Sequence, residues 1–170
     1  RLYARYNTNL SRVSYKGIDL YEDILKNIRD YQICASLDGT GEIGEYIRTG
    51  LDYNQWLDNF KRGLDIMKYR RQWRIDFTLT LPGLFEVERI QNLADELGVE
   101  ILAKVVFTFT PDVILSPLAL PRELLDKKVD QIINSVNSPA LSDVLEQLKN
   151  RPTIQEQWPD EYESAMIKGK

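Results

Sequence analysis

Small and charged side chains crowd the segment that follows residue 35. A short apolar run, residues 33–35, leads into Ser36 and Asp38, and Arg48 follows ten residues after that aspartate. A hydroxyl and a carboxylate can hydrogen-bond the diol of a ribose, and an arginine can hold a carboxylate or phosphate through two parallel N–H groups. Glycines in between would let a ligand approach the backbone closely. The segment 36–50 therefore indicates a binding site for a small polar ligand.

The same residues also admit a purely structural interpretation. On this interpretation the segment is a polar loop that turns the chain into the next helix, with Arg48 paired to Glu42 or Glu45. The chemistry of the segment alone leaves both interpretations open.

The elements that would position these residues alternate between strand and helix. Apolar alternation and β-rich composition predict strands over residues 2–8, 31–37, 73–81 and 100–109. Helical spacing of apolar residues predicts helices over residues 19–28, 52–69 and 85–97, with N-caps at Asp19 and Asp52 and a C-cap at Gly98. Residues 9–17 are predicted as a loop, and residues 38–51 form the glycine-containing segment. This order indicates parallel strands with helical crossovers, an α/β fold whose ligands bind beyond the carboxyl ends of the strands.

The pattern changes after Pro111, where only helices are predicted. They cover residues 121–136, 140–149 and 153–167. We therefore divide the chain into an α/β part, residues 1–118, and a C-terminal helical extension, residues 119–170.

Composition restricts the chemistry that this chain can perform. It contains one cysteine and no histidine, so Ser-His and Cys-His catalysis within the chain are excluded. The net charge of −4 and the pI near 5.0 argue against a general nucleic-acid binder. No run of 18 apolar residues is present, so we expect no membrane partner and a cytoplasmic location.

The segment SLDGTGEIGEYIRTGLDYNQWLDNFKRG, residues 36–63, resembles the fourth-strand region of radical S-adenosylmethionine enzymes. The features that carry the resemblance are the Ser-Leu-Asp-Gly strand end, the arginine in Glu-Tyr-Ile-Arg-Thr-Gly, and the helix that carries Asn59. YARYNTNLS, residues 3–11, resembles the third strand of that family, which ends in a Thr-Asn pair. The stretch LSPLALPREL, residues 115–124, resembles the sequence after the sixth strand.

The resemblance implies a binding site for S-adenosylmethionine at one end of the sheet. It places Ser36 and Asp38 against the ribose, and it pairs Arg48 with the methionyl carboxylate. Thr8 and Asn9 would face the same cavity, and backbone near Thr108 would lie close to the adenine. The implied fold is a partial (β/α)6 TIM-like barrel, of which this chain would supply the parallel strands three to six, followed by C-terminal helices.

The chain departs from the family pattern in its cysteines. The family's C-x3-C-x2-C motif, which holds a 4Fe-4S cluster, is absent, and Cys34 cannot replace three ligands. The chain also starts at Arg1 in strand-like sequence. We therefore expect a fragment of a radical enzyme whose missing N-terminal part carries the cluster and generates a 5′-deoxyadenosyl radical. The substrate is unknown, and this chain alone would be inactive.

A truncated barrel should have an exposed strand edge. We expect the side of the first strand that carries Leu2, Ala4 and Tyr6 to be the barrel-interior side, and its outer edge to promote self-association or association with the missing N-terminal part. The alternative hypothesis is a non-catalytic α/β binding module that keeps the fold and associates with a partner chain.

Overall fold

The computed structural model describes residues 3–107 and 115–168, which contain six strands and seven α-helices. The strands are β1 (Ala4–Thr8), β2 (Ser14–Tyr15), β3 (Ile18–Asp19), β4 (Tyr31–Ser36), β5 (Trp73–Leu79) and β6 (Glu100–Val105). The helices are α1 (Gly41–Ile47), α2 (Tyr53–Asp65), α3 (Val87–Leu97), α4 (Arg122–Ile132), α5 (Pro139–Lys149), α6 (Ile154–Gln157) and α7 (Pro159–Lys168). A π-helical turn (Leu20–Ile24) and short 3₁₀ turns connect them.

Four of the strands form one parallel sheet in the order β1-β4-β5-β6. Each of these strands pairs with the next one of the sheet along the chain, and every pair is parallel. The register aligns Tyr6 with Ile33, Ile33 with Trp73, and Ile75 with Ile101. The predicted α/β fold with a parallel sheet is confirmed, and the carboxyl ends of the four strands meet at one edge.

The hydrophobic core lies on one face of this sheet. Aligned residues of neighbouring strands share a face, so Ile33, Trp73 and Ile101 lie on the same side. Phe60 of α2 packs edge-on against Trp73 with ring centroids 5.4 Å apart. Apolar residues of α3, α4 and α5 join the same core. Because Tyr6 aligns with Ile33, Ala4 and Tyr6 belong to this helix-packed face, and the prediction that these two lie on an inner barrel side is wrong. Leu2, the third residue of that prediction, lies outside the described residues.

The opposite face of the sheet is polar across all four strands. Its members alternate with the core residues, and only Cys34 and Leu102 among them are apolar: Arg5, Asn7, Gln32, Cys34, Ser36, Arg74, Asp76, Thr78, Glu100, Leu102 and Lys104. Arg74 and Glu100 form an ion pair of 2.6 Å on neighbouring strands. Parallel sheets usually have apolar helix-covered surfaces on both sides, so a polar face is a departure from the usual pattern. Its central residues Gln32, Cys34 and Asp76 are nevertheless buried.

Several predicted elements have different forms in the structure. The segment 9–17 contains β2, which pairs antiparallel with β3, and the segment 38–51 contains α1. The helix predicted over residues 19–28 is a π-helical turn followed by a 3₁₀ turn, although Asp19 caps it as predicted. The last helix is two helices, because Pro159 cannot continue α6. The caps at Asp52 and Gly98 are confirmed.

None of the helices formed by the described residues is long and apolar enough to cross a lipid bilayer.

Candidate functional site

Asp38 joins two neighbouring strand ends at the carboxyl edge of the sheet. Its side chain is nearly buried, with 7% of the residue exposed. One carboxylate oxygen accepts a hydrogen bond from the backbone N–H of Thr78 at 3.1 Å, and the other accepts from Nε of Arg48 at 2.6 Å. The carboxylate therefore continues the strand pairing beyond the end of β4 and fixes the arginine that follows α1.

Arg48 keeps the forked end of its guanidinium available. The residue ends α1, where its backbone N–H donates to the carbonyl of Gly44 at 3.0 Å. Within residues 3–107 and 115–168 its two Nη atoms have no hydrogen-bond partner. Because its ion-pair partner is Asp38, the pairing with Glu42 or Glu45 is wrong, and Glu45 instead accepts from the backbone N–H of Tyr53 at 2.9 Å.

A small cavity brings Arg48 together with a second predicted residue, Asn9. It has a volume of about 220 Å³ and is lined by Asn9, Ser11, Arg48, Thr49, Gly50 and Leu51. The Asn9 side-chain oxygen accepts from the backbone N–H of Ser11 at 3.1 Å. This leaves the side-chain nitrogen of Asn9 as a donor without a partner in the described part of the chain.

Thr8 has a structural role at the end of β1. Its Oγ1 accepts from the backbone N–H of Leu10 at 3.1 Å, and this turn holds Leu10 at a φ of 51°. The carbonyl of Leu10 accepts from Nδ2 of Asn59 at 2.7 Å, and the Asn59 carbonyl accepts from the Tyr21 hydroxyl at 2.6 Å. Burial raises the pKa of that hydroxyl, so it stays a neutral donor. Asn59 therefore holds the turn after β1 in place.

Ser36 lies on the polar face, next to Asp76 in the register of β4 and β5. Its hydroxyl has no hydrogen-bond partner in the described ranges. Thr108, the residue predicted near adenine, lies outside the described residues. Val106, two residues earlier, donates its backbone N–H to the carbonyl of Leu79 at 3.1 Å. The structure thus gathers Ser36, Asp38 and Arg48 near one edge, with Thr8 and Asn9 at the end of the adjacent strand.

A carboxylate that sequence reasoning missed occupies the middle of the polar face. Asp76 is 5% exposed and accepts from Nδ2 of Asn7 at 3.2 Å and from Nζ of Lys104 at 3.0 Å. The three residues belong to β5, β1 and β6, so one network spans the sheet. The alternation of β5 could have indicated this residue. Asp76 lies two positions before Thr78 in the strand, so the two side chains share the polar face.

A second missed carboxylate, Glu86, positions the start of α1. It is 3% exposed, and its Oε2 accepts from the backbone N–H of Thr40 at 2.9 Å and from the Thr40 hydroxyl at 2.6 Å. Its other oxygen accepts from Arg89 at 3.0 Å. Nothing local in the sequence indicates this contact, since Glu86 and Thr40 are 46 positions apart.

We expect Glu86→Gln to lower the free energy of unfolding by about 1 kcal/mol, because a neutral amide weakens the charge-assisted bonds to Thr40 and Arg89. Urea denaturation followed by tryptophan fluorescence measures the change. Glu96→Gln, on the exposed side of α3, is the matched control and should unfold as the parent chain does. Equal losses in the two variants would contradict a specific role for the Glu86 contact.

The residues of this chain do not fit an iron–sulfur cluster. The only cysteine, Cys34, is buried within β4, and no group of three or more His, Cys, Asp or Glu side chains suited to a metal ion occurs among the described residues. A cluster needs several thiolate ligands. Any cluster chemistry would therefore require ligands from outside this sequence.

The chain matches no protein-family model, and comparisons with curated proteins and with solved structures also return no match. The functional interpretation therefore depends on the residues and geometry described above.

Proposed function

We propose that this chain binds S-adenosylmethionine at the carboxyl edge of its parallel sheet and forms the C-terminal part of a radical S-adenosylmethionine enzyme. In this proposal the ribose hydroxyls bond to Ser36 and Asp38, and the methionyl carboxylate binds the two Nη atoms of Arg48. Asn9 donates to the same carboxylate from the adjacent strand end. A cytoplasmic location belongs to the same proposal.

The observation that carries the proposal is the hydrogen bonding of the Arg48 guanidinium. Asp38 orients the guanidinium through Nε alone, at 2.6 Å, and leaves the Nη fork without a partner in the described residues. A fork of this kind suits the two oxygens of a carboxylate. The fixed Nε bond reduces the side-chain entropy that a ligand would otherwise have to remove.

The sheet supports the barrel part of the proposal. Its strands follow one another in chain order without reversal, whereas a doubly wound sheet reverses its strand order at a switch point. Crossovers between parallel strands are right-handed in nearly all proteins, and crossovers of constant direction place the helices on one side of the sheet, as in a (β/α) barrel. In such a barrel the polar face forms the wall of the central cavity, and the network of Asp76 with Asn7 and Lys104 lies on that wall. The four strands of this sheet would supply four of the six strands of a partial (β/α)6 barrel.

Because this chain lacks the cluster ligands, its own share of the reaction is binding and orientation. When bound in the whole enzyme, the cluster would supply the electron that cleaves S-adenosylmethionine. Arg48 and Asp38 would hold the methionyl and ribose ends in a fixed relation, and the polar face would provide hydrogen bonds to a polar substrate whose identity is open.

Isothermal titration of the 170-residue chain with S-adenosylmethionine tests the proposal. We expect saturable binding with a Kd of about 1 mM or below, corresponding to about −4 kcal/mol. 5′-Deoxyadenosine, which lacks the methionyl carboxylate, should bind at least tenfold more weakly. Failure of S-adenosylmethionine to bind, or equal affinity for both compounds, would rule out the proposed use of Arg48.

A second candidate function, association with a partner chain, is favoured by the outer edge of β1. This strand is at the end of the sheet, and beside it lies a cavity of about 470 Å³. The cavity is lined largely by apolar side chains, among them the exposed residues Tyr6, Tyr15 and Ile18. An unpaired strand edge beside apolar surface is a template for strand addition.

We therefore expect the isolated chain to self-associate at micromolar concentrations. Sedimentation velocity should show a dimer or larger species, and Tyr6→Lys should shift the population toward the monomer. Lys61→Glu on the exposed surface of α2 is the control and should leave the distribution unchanged. A monomer over the whole concentration range would contradict this candidate without affecting the binding proposal.

A further inference from the structure

The two outer strands of the sheet place accessible nitrogen-bearing side chains around Asp76 on the polar face. Asn7 of β1 and Lys104 of β6 both donate to the same carboxylate oxygen, Oδ2, at 3.2 Å and 3.0 Å. Because both nitrogens contact one oxygen atom, a single small ligand can contact both. Asp76 itself is 5% exposed, whereas Asn7 is exposed and the Lys104 side chain is 55% exposed. The groups that a ligand would meet are therefore the accessible members of the network.

Both of these side chains keep a donor for a ligand. The ammonium group of Lys104 has three N–H bonds, and its two acceptors are Oδ1 and Oδ2 of Asp76, at 3.1 Å and 3.0 Å. The side-chain amide of Asn7 has two N–H bonds, and Asp76 is its acceptor among the described residues. The bonds to Asp76 also restrict both side chains, which lowers the entropy that a ligand would have to remove.

Arg5 adds an accessible positive charge beside this network. It lies two positions before Asn7 in β1, so the two side chains share the polar face. A side-chain interaction with Cys34 raises the pKa of the Arg5 guanidinium, and the charge of Asp76 adds a smaller part to the rise. The guanidinium therefore lies over β4, between Asn7 and the carboxylate. Arg5 is exposed, and it forms no ion pair within residues 3–107 and 115–168.

The charges on the strand residues of this face leave a positive excess. Glu100 is paired with Arg74 at 2.6 Å, and Asp76 is paired with Lys104 at 3.0 Å, so each carboxylate has one cation of its own. Arg5 is the fifth charged residue of the face and is the excess cation. The chain as a whole has a net charge of −4, so this is a local reversal of sign. A surface with unused N–H donors and an excess cation favours an anionic ligand.

We propose that Arg5, Asn7 and Lys104 bind an oxyanion group, a carboxylate or a phosphate, of a small molecule on the polar face. Asp76 is a positioning residue, because it holds Asn7 and Lys104 in place beneath the ligand. The inference rests on the proposed function in one respect: in a barrel this face lines the cavity, so the bound molecule is the substrate, and the substrate is an anion. None of the three binding residues is assigned to S-adenosylmethionine, so the two proposals can fail separately.

Inorganic phosphate and acetate are the probes, and ¹H–¹⁵N NMR of the 170-residue chain is the measurement. The ionic strength is held constant, because salt screens charges on an accessible surface. We expect saturable shifts of the Asn7 side-chain amide with a Kd of about 10 mM or below for at least one probe, as befits a fragment-sized ligand. Tighter binding of phosphate would identify a phosphate group, and tighter binding of acetate a carboxylate. Absence of saturable Asn7 shifts with both probes would overturn the proposal.

Arg5→Gln removes the excess charge from an exposed position and should weaken binding of the probe at least fivefold, while Arg5→Lys should retain part of the affinity. Arg29→Gln, the same substitution at an exposed arginine ahead of β4, is the matched control and should bind as the parent chain does. Equal losses in Arg5→Gln and Arg29→Gln would overturn the proposal, since they would indicate general attraction by charge.

Arg48→Ala separates this site from the one proposed for S-adenosylmethionine. The Asn7 shifts caused by the probe should persist in Arg48→Ala, whether or not the parent chain binds S-adenosylmethionine. Their loss in that variant would also overturn the proposal, because the anion would then belong to the Arg48 site.

Discussion

Gly63→Ala is expected to lower the free energy of unfolding by about 2–3 kcal/mol. A Cβ at this position would lie 2.2 Å from Cζ2 of Trp73, inside the contact distance of any carbon pair. The indole cannot move away easily, since Trp73 is fully buried and Phe60 packs edge-on against it at 5.4 Å. Gly63 therefore allows α2 to approach β5 closely enough to form the core.

The sign of this effect is informative, because glycine to alanine inside a helix normally stabilises a protein by about 0.5–1 kcal/mol. Urea denaturation monitored by tryptophan fluorescence measures it. Asn54→Ala on the exposed side of α2 is the control, and it should be neutral or slightly stabilising. In the background of Trp73→Leu, Gly63→Ala should cost much less, since the ring that it meets is gone. A stabilised Gly63→Ala protein would show that α2 does not pack on β5 as described.

Arg48→Ala is expected to weaken S-adenosylmethionine binding more than tenfold. A charge-assisted hydrogen bond contributes about 1.5–3 kcal/mol, and 1.4 kcal/mol corresponds to one factor of ten in Kd. Arg48→Lys should recover only part of the loss, because an ammonium group keeps the charge without the planar fork. Affinity for 5′-deoxyadenosine should change little, since that compound has no carboxylate. Isothermal titration of each variant with both compounds separates these effects.

The matched control is Arg62→Ala, which removes an arginine that is also paired with an aspartate, Asp19, at 3.1 Å. This pair joins α2 to the last residue of β3, and its loss should not change the affinity. Thermal melts should accompany the titrations, because loss of Arg48 leaves the nearly buried Asp38 with the Thr78 N–H as its remaining partner among the described residues. An Arg48→Ala protein that is folded and binds with unchanged affinity would refute the carboxylate assignment.

The parallel α/β sheet could be predicted from the sequence because its signals are local. Apolar spacing in α2 and α3, alternation in β5, and the caps Asp52 and Gly98 each depend on residues within one element. Parallel pairing then followed from the order of strands and helices, since a helical crossover returns the chain in the same direction. The positions of Ser36 and Asp38 at a strand end could be predicted for the same reason.

The elements that were missed have weak local signals. A hairpin of two-residue strands, β2 and β3, is too short to show alternation. Helix α1 contains two glycines, which are poor helix formers, and its first turn is held by the distant Glu86. Gly44 is required there, because a Cβ would meet the carbonyl oxygen of Gly39 at 2.2 Å.

Sequence by itself determined the class of fold, the order of its elements and the strand end that carries Ser36 and Asp38. Only the tertiary structure decided which side chains meet: Arg48 with Asp38, and Asp76 with Asn7 and Lys104 across four strands. The physical reason is that backbone propensity and apolar periodicity act between near neighbours in the chain. The partners of a polar side chain depend instead on register and on distances across the sheet, which are set when the core packs.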